Sequence, residues 1–285
     1  MAEVITFPNY TAFYLQNIDA LQDDYINHFY LIHLMDDVAE GKLGWRDFFN
    51  VVDDDGSQAI VLLVDERCLI FCERWNPAVI AAVSRKLHFE KFKRFMFGGF
   101  KPFLQALFDS DGATFHIIKD RISYRCAQLS SAFTPVPGRL EMAHLSDLDE
   151  LAQMSYEYSQ EEYHGKGRDY AHIRNIVQGG ILQDNFYAWR DQGAICAIAQ
   201  VIDSDGAPPF IGHLFTHKEK RNRGYAGSIL QAITQGLLRE GHEACGLVSD
   251  ADNPASNKVF VKVGYVPIGT YVTATKEMWR AEDID

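Results

Sequence analysis

Four of the six residues from Lys218 to Arg223 are cationic (Lys218, Lys220, Arg221, Arg223), and Gly224 follows at once. The chain as a whole carries a formal net charge of -12, so a basic knot here is out of character. The apolar run Phe210–Thr216 precedes it, and Tyr225 to Arg239 shows helical periodicity behind it, with Ala226, Ile229, Ile233 and Leu237 on one stripe. A strand, a basic turn containing glycine and a helix start bring together unpaired helix amides, the positive end of the helix dipole and nearby cations. That combination binds an anion, and a phosphate or pyrophosphate suits it best.

A second pattern begins 29 residues after Gly224. Asn253 and Pro254 form an N-cap and N1 pair, a helix follows to about Val263, and Gly264-Tyr265 ends it. Between the two patterns, Ala244 to Val248 reads as a parallel return strand, and Gly241 is the expected residue after the preceding helix.

The elements that must position these residues make up the second half. Leu140–His144 reads as a strand. Ser146 is the expected cap of a helix with an acidic first turn, and a second helix is expected to end at Gly179-Gly180. Strands 185–189, 194–201 and 210–216 follow, with a turn at Asp203–Gly206, and a closing strand runs over 265–273. The first half reads as helical from Thr11 to Val38. It continues with a hairpin of 59–64 and 68–72, a helix capped by Asn76-Pro77, a helix over 102–108 and strand over much of 113–129. Thr134-Pro-Val-Pro-Gly138 is the clearest linker signal. It divides the chain into expected domains 1–136 and 137–285.

Composition narrows the function classes. A pI near 5.3 disfavours broad nucleic-acid binding. The patch Arg85–Lys101, six cations with interleaved phenylalanines, is more economically a solvated charged face, and Gly98-Gly99 beside it is a weaker anion-site candidate. There is no run of about 18 apolar residues and no signal-peptide pattern. Five cysteines without a Cys-x-x-Cys read as buried reduced thiols. The expectation is a cytoplasmic protein with no membrane or nucleic-acid partner and no metal. Nothing in the sequence sets the oligomeric state, and a homodimer stays open.

The second half resembles the GNAT superfamily of acetyl-CoA-dependent N-acetyltransferases. Arg221-Asn-Arg-Gly-Tyr-Ala226 matches its Arg/Gln-x-x-Gly-x-Gly/Ala loop, and Asn253 to Tyr265 is similar to its second signature. The resemblance covers about residues 139–275. It implies an α/β fold with a mixed, mostly antiparallel sheet flanked by helices. The first half is more weakly similar, as a degenerate GNAT-like domain that would close one side of the substrate cleft. The resemblance further implies that the backbone of Leu214, Phe215 and Thr216 holds the pantetheine arm, and that amides of Asn222, Arg223, Gly224, Tyr225 and Ala226, with Arg221 nearby, hold the pyrophosphate. Asn253, Asn257 and Phe260 would line the thiol end.

The implied function is transfer of an acetyl group from acetyl-CoA, by direct attack, to a small acceptor amine. An acid-rich chain points to a cationic acceptor. An ammonium must lose a proton before it attacks. Glu162 is the candidate base, with Glu161, Asp250 and His213 as competitors. Phe260 stands where many members have a proton-donating tyrosine, and Lys218 where proline is frequent. Phe260 motivates the alternative, a non-catalytic acyl-CoA-binding sensor or scaffold.

Overall fold

The computed structural model describes residues 1–89, 95–202 and 207–276. The expected turn at Asp203–Gly206 and the middle of the Arg85–Lys101 patch lie outside the described residues. The chain forms two compact units. Unit 1 comprises Met1–Ser123, Asp250–Asp252 and Ile268–Asp285, and unit 2 comprises Tyr124–Ser249 and Asn253–Pro267. The units are therefore interleaved along the chain rather than two contiguous stretches that meet at 136 and 137.

Unit 1 contains β1 (Glu3–Thr6), α1 (Tyr10–Gln22), α2 (Tyr25–Ala39), β2 (Asp47–Val52), β3 (Gln58–Val64), β4 (Arg67–Phe71), α3 (Pro77–Leu87), β5 (Met96–Phe100), α4 (Lys101–Ser110) and most of β6 (His116–Cys126). The stretch expected to be helical from Thr11 to Val38 forms two helices. Asp24, at φ -126° and ψ 54°, breaks the backbone between α1 and α2. Asn76 caps α3 as expected, its Oδ1 accepting the Val79 N–H at 3.0 Å, with Pro77 in the first turn.

β1, β2, β3 and β4 form an antiparallel meander, and β4 then pairs with β5 in parallel, from Arg67↔Met96 to Ile70↔Gly99. Gly98 and Gly99 do not form an anion site. Both lie inside β5, and a Cβ on Gly99 would stand 2.4 Å from the Ile70 carbonyl oxygen. The glycines are there to let the two strands close up. The core beneath is aromatic, with Phe89, Phe97 and Phe108 packed edge to face at about 5 Å.

Unit 2 contains β7 (Arg139–Met142), α5 (Leu148–Glu162), α6 (Tyr170–Leu182), β8 (Phe186–Asp191), β9 (Ala194–Ile202), β10 (Phe210–Thr216), α7 (Tyr225–Arg239), β11 (Cys245–Asp250) up to Ser249, α8 (Pro254–Val263) and the first residues of β12 (Val266–Thr275). Ser146 does not cap α5. It lies in a 3₁₀ turn over Leu145–Asp147, where the His144 N–H donates to Asp147 Oδ2 at 3.2 Å. α6 runs through Gly179 and Gly180 to Leu182, because Val177 and Ile181 on its buried face carry it past them.

β7, β8, β9 and β10 are antiparallel in sequence order. β12 pairs antiparallel with β5, from Tyr271↔Phe100 to Ala274↔Phe97, and so contributes its C-terminal part to unit 1. The two halves of the chain repeat one element order: strand, two helices, three strands, helix, strand, helix, strand.

Candidate functional site

The site in unit 2 starts from a break in strand pairing. β10 and β11 run parallel, and among the described residues the registered pair between them is Phe210↔Gly246, at their beginnings. Beyond it the edge of β10 that faces away from β9 carries no registered partner among the described residues. Leu214, Phe215 and Thr216 lie on this stretch, and Phe215 and Thr216 pair on their other side with Ile198 and Ala197. A bulge interrupts β10 just before them, since His213 and Leu214 together span one step between Gly212↔Gln200 and Phe215↔Ile198. His213 takes a left-handed φ of +55° to make it. A bulge of this kind turns the strand and withdraws its groups from the ladder. In unit 1 the equivalent pair, β4 and β5, is registered over four residues.

The turn after β10 supplies the anion-binding geometry. Asn222 and Gly224 are both left-handed, at φ +61° and +86°. A Cβ on Gly224 would be strained at that φ and would lie 2.8 Å from Val136 Cγ1. None of the amides from Asn222 to Ala226 donates to a protein acceptor among the described residues. α7 begins with no side-chain cap. Five adjacent amides at the positive end of a fifteen-residue helix form a cradle for a phosphate group.

The cations of the turn are not equivalent. Arg221 binds back into the protein. Its Nε donates to the Thr216 carbonyl at 3.2 Å, its Nη2 to Glu161 at 2.8 and 3.1 Å, and its guanidinium lies 5.0 Å from the Phe215 ring centre. Lys218 pairs with Glu157 at 3.4 Å and Glu161 at 3.6 Å. Arg223 is exposed and has no ion pair among the described residues. Two acids of α5 therefore brace the turn, an arrangement with no counterpart in local sequence because the partners are about sixty residues apart.

Tyr225 contributes its backbone here. Its side chain is buried, and its hydroxyl donates to Asp191 Oδ2 at 2.6 Å, which together with burial pushes its pKa up to about 12. The segment read as a linker also packs on this turn. The Val136 N–H donates to Ser228 Oγ at 2.9 Å, and that hydroxyl donates to the Gly224 carbonyl.

The second signature forms α8. Asn253 is its N-cap, with Oδ1 accepting from the Ser256 N–H at 3.1 Å, and Asn257 lies half-buried in the same first turn. Phe260 is buried at 5% exposure, edge-on to Tyr124 with ring centres 5.6 Å apart. Tyr265 is fully sealed. Its hydroxyl meets Thr234 Oγ1 at 2.7 Å, and that hydroxyl donates to the Leu230 carbonyl. Tyr265 is therefore a core residue and not a proton donor to ligand. The Tyr124 phenol makes no hydrogen bond among the described residues, and burial holds its pKa above the ordinary value.

The candidate bases separate. Glu162 is the last residue of α5, half-buried, one position past the acid that grips Arg221. Glu161 is committed to Arg221 and Lys218. Asp250 is not a free base. Against the effect of burial, Lys119 at 2.8 Å and the Asp252 N–H hold its carboxyl below the usual range. His213 is packed against Tyr158 and Phe186, with Nε2 sealed and without a hydrogen-bond partner. Burial pushes its pKa down to about 4, so the ring is neutral near pH 7 and a poor proton acceptor.

Comparisons with known proteins bear on the fold. The model of the FR47-like protein family matches residues 189–274. No curated protein matches the chain in sequence. Among solved structures, a GNAT-family acetyltransferase from Colwellia psychrerythraea superposes with a TM-score of 0.63 at 13% identity, covering 96% of this chain and all of that one. A GCN5-related N-acetyltransferase from Sphaerobacter thermophilus gives 0.59 at 14% identity, with 85% of each chain covered. One from Kribbella flavida gives 0.51 at 14%, covering 79% of this chain and 89% of that one. These likenesses show that the chain has the fold of GNAT acetyltransferases, and its element order is repeated in both halves.

Proposed function

We propose that unit 2 is an acetyl-CoA-dependent N-acetyltransferase acting on a small, cationic amine. The observation that carries this is the free edge of β10 beside five amides, 222 to 226, that lack protein acceptors. The open edge of Leu214 to Thr216 fits an amide-bearing pantetheine arm as an added strand. The amides, with Arg223, fit a pyrophosphate. Acetyl-CoA supplies an activated acyl carbon and a thiolate leaving group.

In this reading the acceptor is bound as an ammonium and gives its proton to Glu162, directly or through water. The freed nitrogen lone pair attacks the thioester carbon, the C–S bond breaks, the thiolate departs, and the second proton of the acylated nitrogen passes to that thiolate or to water. Phe260 has no proton to offer that sulfur. Tyr124 is the phenol beside it, and we assign to its hydroxyl the donation of a hydrogen bond to the leaving thiolate. The acidic composition supports a cationic acceptor. No described helix is long and apolar enough to cross a membrane. The described cations Lys86 and Lys101 of the basic patch pair with Asp47 and Asp120, which argues against a nucleic-acid surface there. We place the activity in the cytoplasm.

The buried Phe260 also favours a second reading, a non-catalytic acyl-CoA sensor. Thiol release from acetyl-CoA across a panel of amines, with calorimetry of CoA binding, separates the two. Release with an amine, abolished in Gly224→Trp, supports the enzyme. Tight binding with no release across the panel supports the sensor. Absence of CoA binding by the folded protein refutes both.

A further inference from the structure

Unit 1 has a cavity of its own, of about 350 Å³, at the carboxyl ends of the parallel strands β4 and β5. Open α/β sheets bind their ligands at this end. Leu31, Leu69, Phe71 and Tyr271 give it apolar walls, and Asp24, His28 and Glu73 also line it. One ligand atom from each of these three lies within 4.8 Å of the others. Asp24 and His28 are four residues apart at the start of α2, so one turn of helix stacks them. Glu73 comes from the loop between β4 and α3.

His28 is oriented for ligation. It is 94% buried, at 6% exposure, and its Nδ1 lies 2.9 Å from the Leu21 carbonyl oxygen. A carbonyl only accepts, so Nδ1 carries the proton and Nε2 carries the lone pair. Nε2 stands 3.9 Å from Glu73 Oε1, beyond hydrogen-bond distance, and has no hydrogen-bond partner among the described residues. The edge of the ring is fixed by Phe71, 4.0 Å away between centres. Asp24 is also held, since its Oδ2 accepts from Asn27 Nδ2 at 2.8 Å. An imidazole fixed through its other nitrogen, with a hydrogen-bonded carboxylate beside it, is the outer-shell arrangement of metal sites. Two ligands on one tetrahedral zinc ion are about 3.4 Å apart, given metal–ligand bonds near 2.1 Å. Glu73, whose side chain is 64% exposed, has the freedom to close the remaining gap. Cys72 also borders the cavity, but its thiol donates to the Gln58 carbonyl at 2.9 Å.

We propose that Asp24, His28 and Glu73 form a binding site for a divalent transition-metal ion of the zinc type, with its remaining coordination position open to the cavity. One nitrogen and two carboxylate oxygens suit such an ion, and three protein ligands with a vacancy suit one that presents water or a small ligand. The proposal is independent of acetyl transfer in unit 2. It also departs from the sequence expectation of no metal, which had no ligand-spacing motif to draw on because Glu73 is 45 residues from His28.

The test uses the full chain, stripped with chelator and titrated with Zn²⁺ by calorimetry, and with Co²⁺ by visible absorption. One equivalent of Zn²⁺ is expected to bind with micromolar or lower Kd, and Co²⁺ to give the intense d–d bands of a four-coordinate ion. His28→Gln should abolish this site, and Glu73→Gln, at an exposed side chain where folding is not at risk, should weaken it at least tenfold. Asn27→Ala, which frees Asp24, should weaken it by about tenfold. Absence of Zn²⁺ binding at 100 µM metal (about a hundred times the expected Kd), or binding that is unchanged in both Glu73→Gln and folded His28→Gln, overturns the proposal.

Discussion

Tyr124 stands edge-on to Phe260, with 5.6 Å between ring centres and 64° between ring planes. In the proposed reaction Phe260 would lie where the leaving thiolate calls for a phenol, and Tyr124 supplies a phenol at the next ring. If the Tyr124 hydroxyl assists departure of sulfur, Tyr124→Phe should lower kcat by about 10- to 100-fold, at the lower end of general-acid contributions. The KM for acetyl-CoA should hardly change, because the interaction is made as charge develops. Phe260→Tyr in the Tyr124→Phe background should restore part of the loss. Steady-state kinetics of the two variants check this. An unchanged kcat in folded Tyr124→Phe would remove the hydroxyl from the mechanism.

Glu161 and Glu157 pair with Lys218 and Arg221, two cations of the turn that carries the amide cradle. These groups are substantially exposed, so their pairs are expected to contribute only about 0–1 kcal/mol to folding. Their effect on a polyanionic ligand should be larger relative to that. Glu161→Gln removes a negative charge beside the cradle and releases Arg221. Affinity for CoA should rise by a few-fold at low ionic strength, and the gain should shrink as salt is added. Calorimetry at two salt concentrations, with thermal melts showing little change in stability, measures both halves of the expectation.

His213 is neutral in the fold because burial disfavours its imidazolium, with a pKa of about 4. In the unfolded chain it titrates near 6.5. The unfolded state therefore binds the extra proton first as pH falls, and stability is lost between pH 6.5 and 4. At pH 5 the loss from this group should be about 2 kcal/mol relative to pH 7.5. His213→Asn, chosen because asparagine tolerates a left-handed φ, should flatten that part of the pH dependence. Urea unfolding at the two pH values, in wild type and variant, gives the difference.

The Tyr265 hydroxyl, Thr234 Oγ1 and the Leu230 carbonyl form a buried relay. Since Thr234 gives its own proton to Leu230, Tyr265 is the donor to Thr234. Thr234→Val leaves a buried phenol without an acceptor, and should cost about 1–3 kcal/mol. Tyr265→Phe removes the unsatisfied group along with the bond and should cost less, about 1 kcal/mol. Denaturant melts of both variants and the double mutant test the order. Acetyl-CoA kinetics should be close to unchanged in both, because Tyr265 has no exposed proton to give.

The sequence by itself determined the local devices. Asn76-Pro77 and Asn253-Pro254 fix two helix starts, because capping needs only residues within one turn. The basic turn with Gly224 fixes the anion cradle, because a left-handed φ and a helix start are properties of adjacent residues. The order of strands and helices in the second half follows from periodicity in the same way, while in the first half periodicity does not reveal β1 and β2. Tertiary structure decided everything that depends on partners distant in the chain. The splay of β10 from β11, the restraint of Arg221 by Glu161, and the meeting of Tyr124 with Phe260 leave no trace in spacing. The pairing of β12 with β5 is the same kind of fact, since the partners, such as Tyr271 and Phe100, are far apart in the chain. His213 shows the division within one residue. Its type was legible as a candidate base, but the burial that sets its pKa at about 4 comes from Tyr158 and Phe186 packed around it, and packing is a property of the fold.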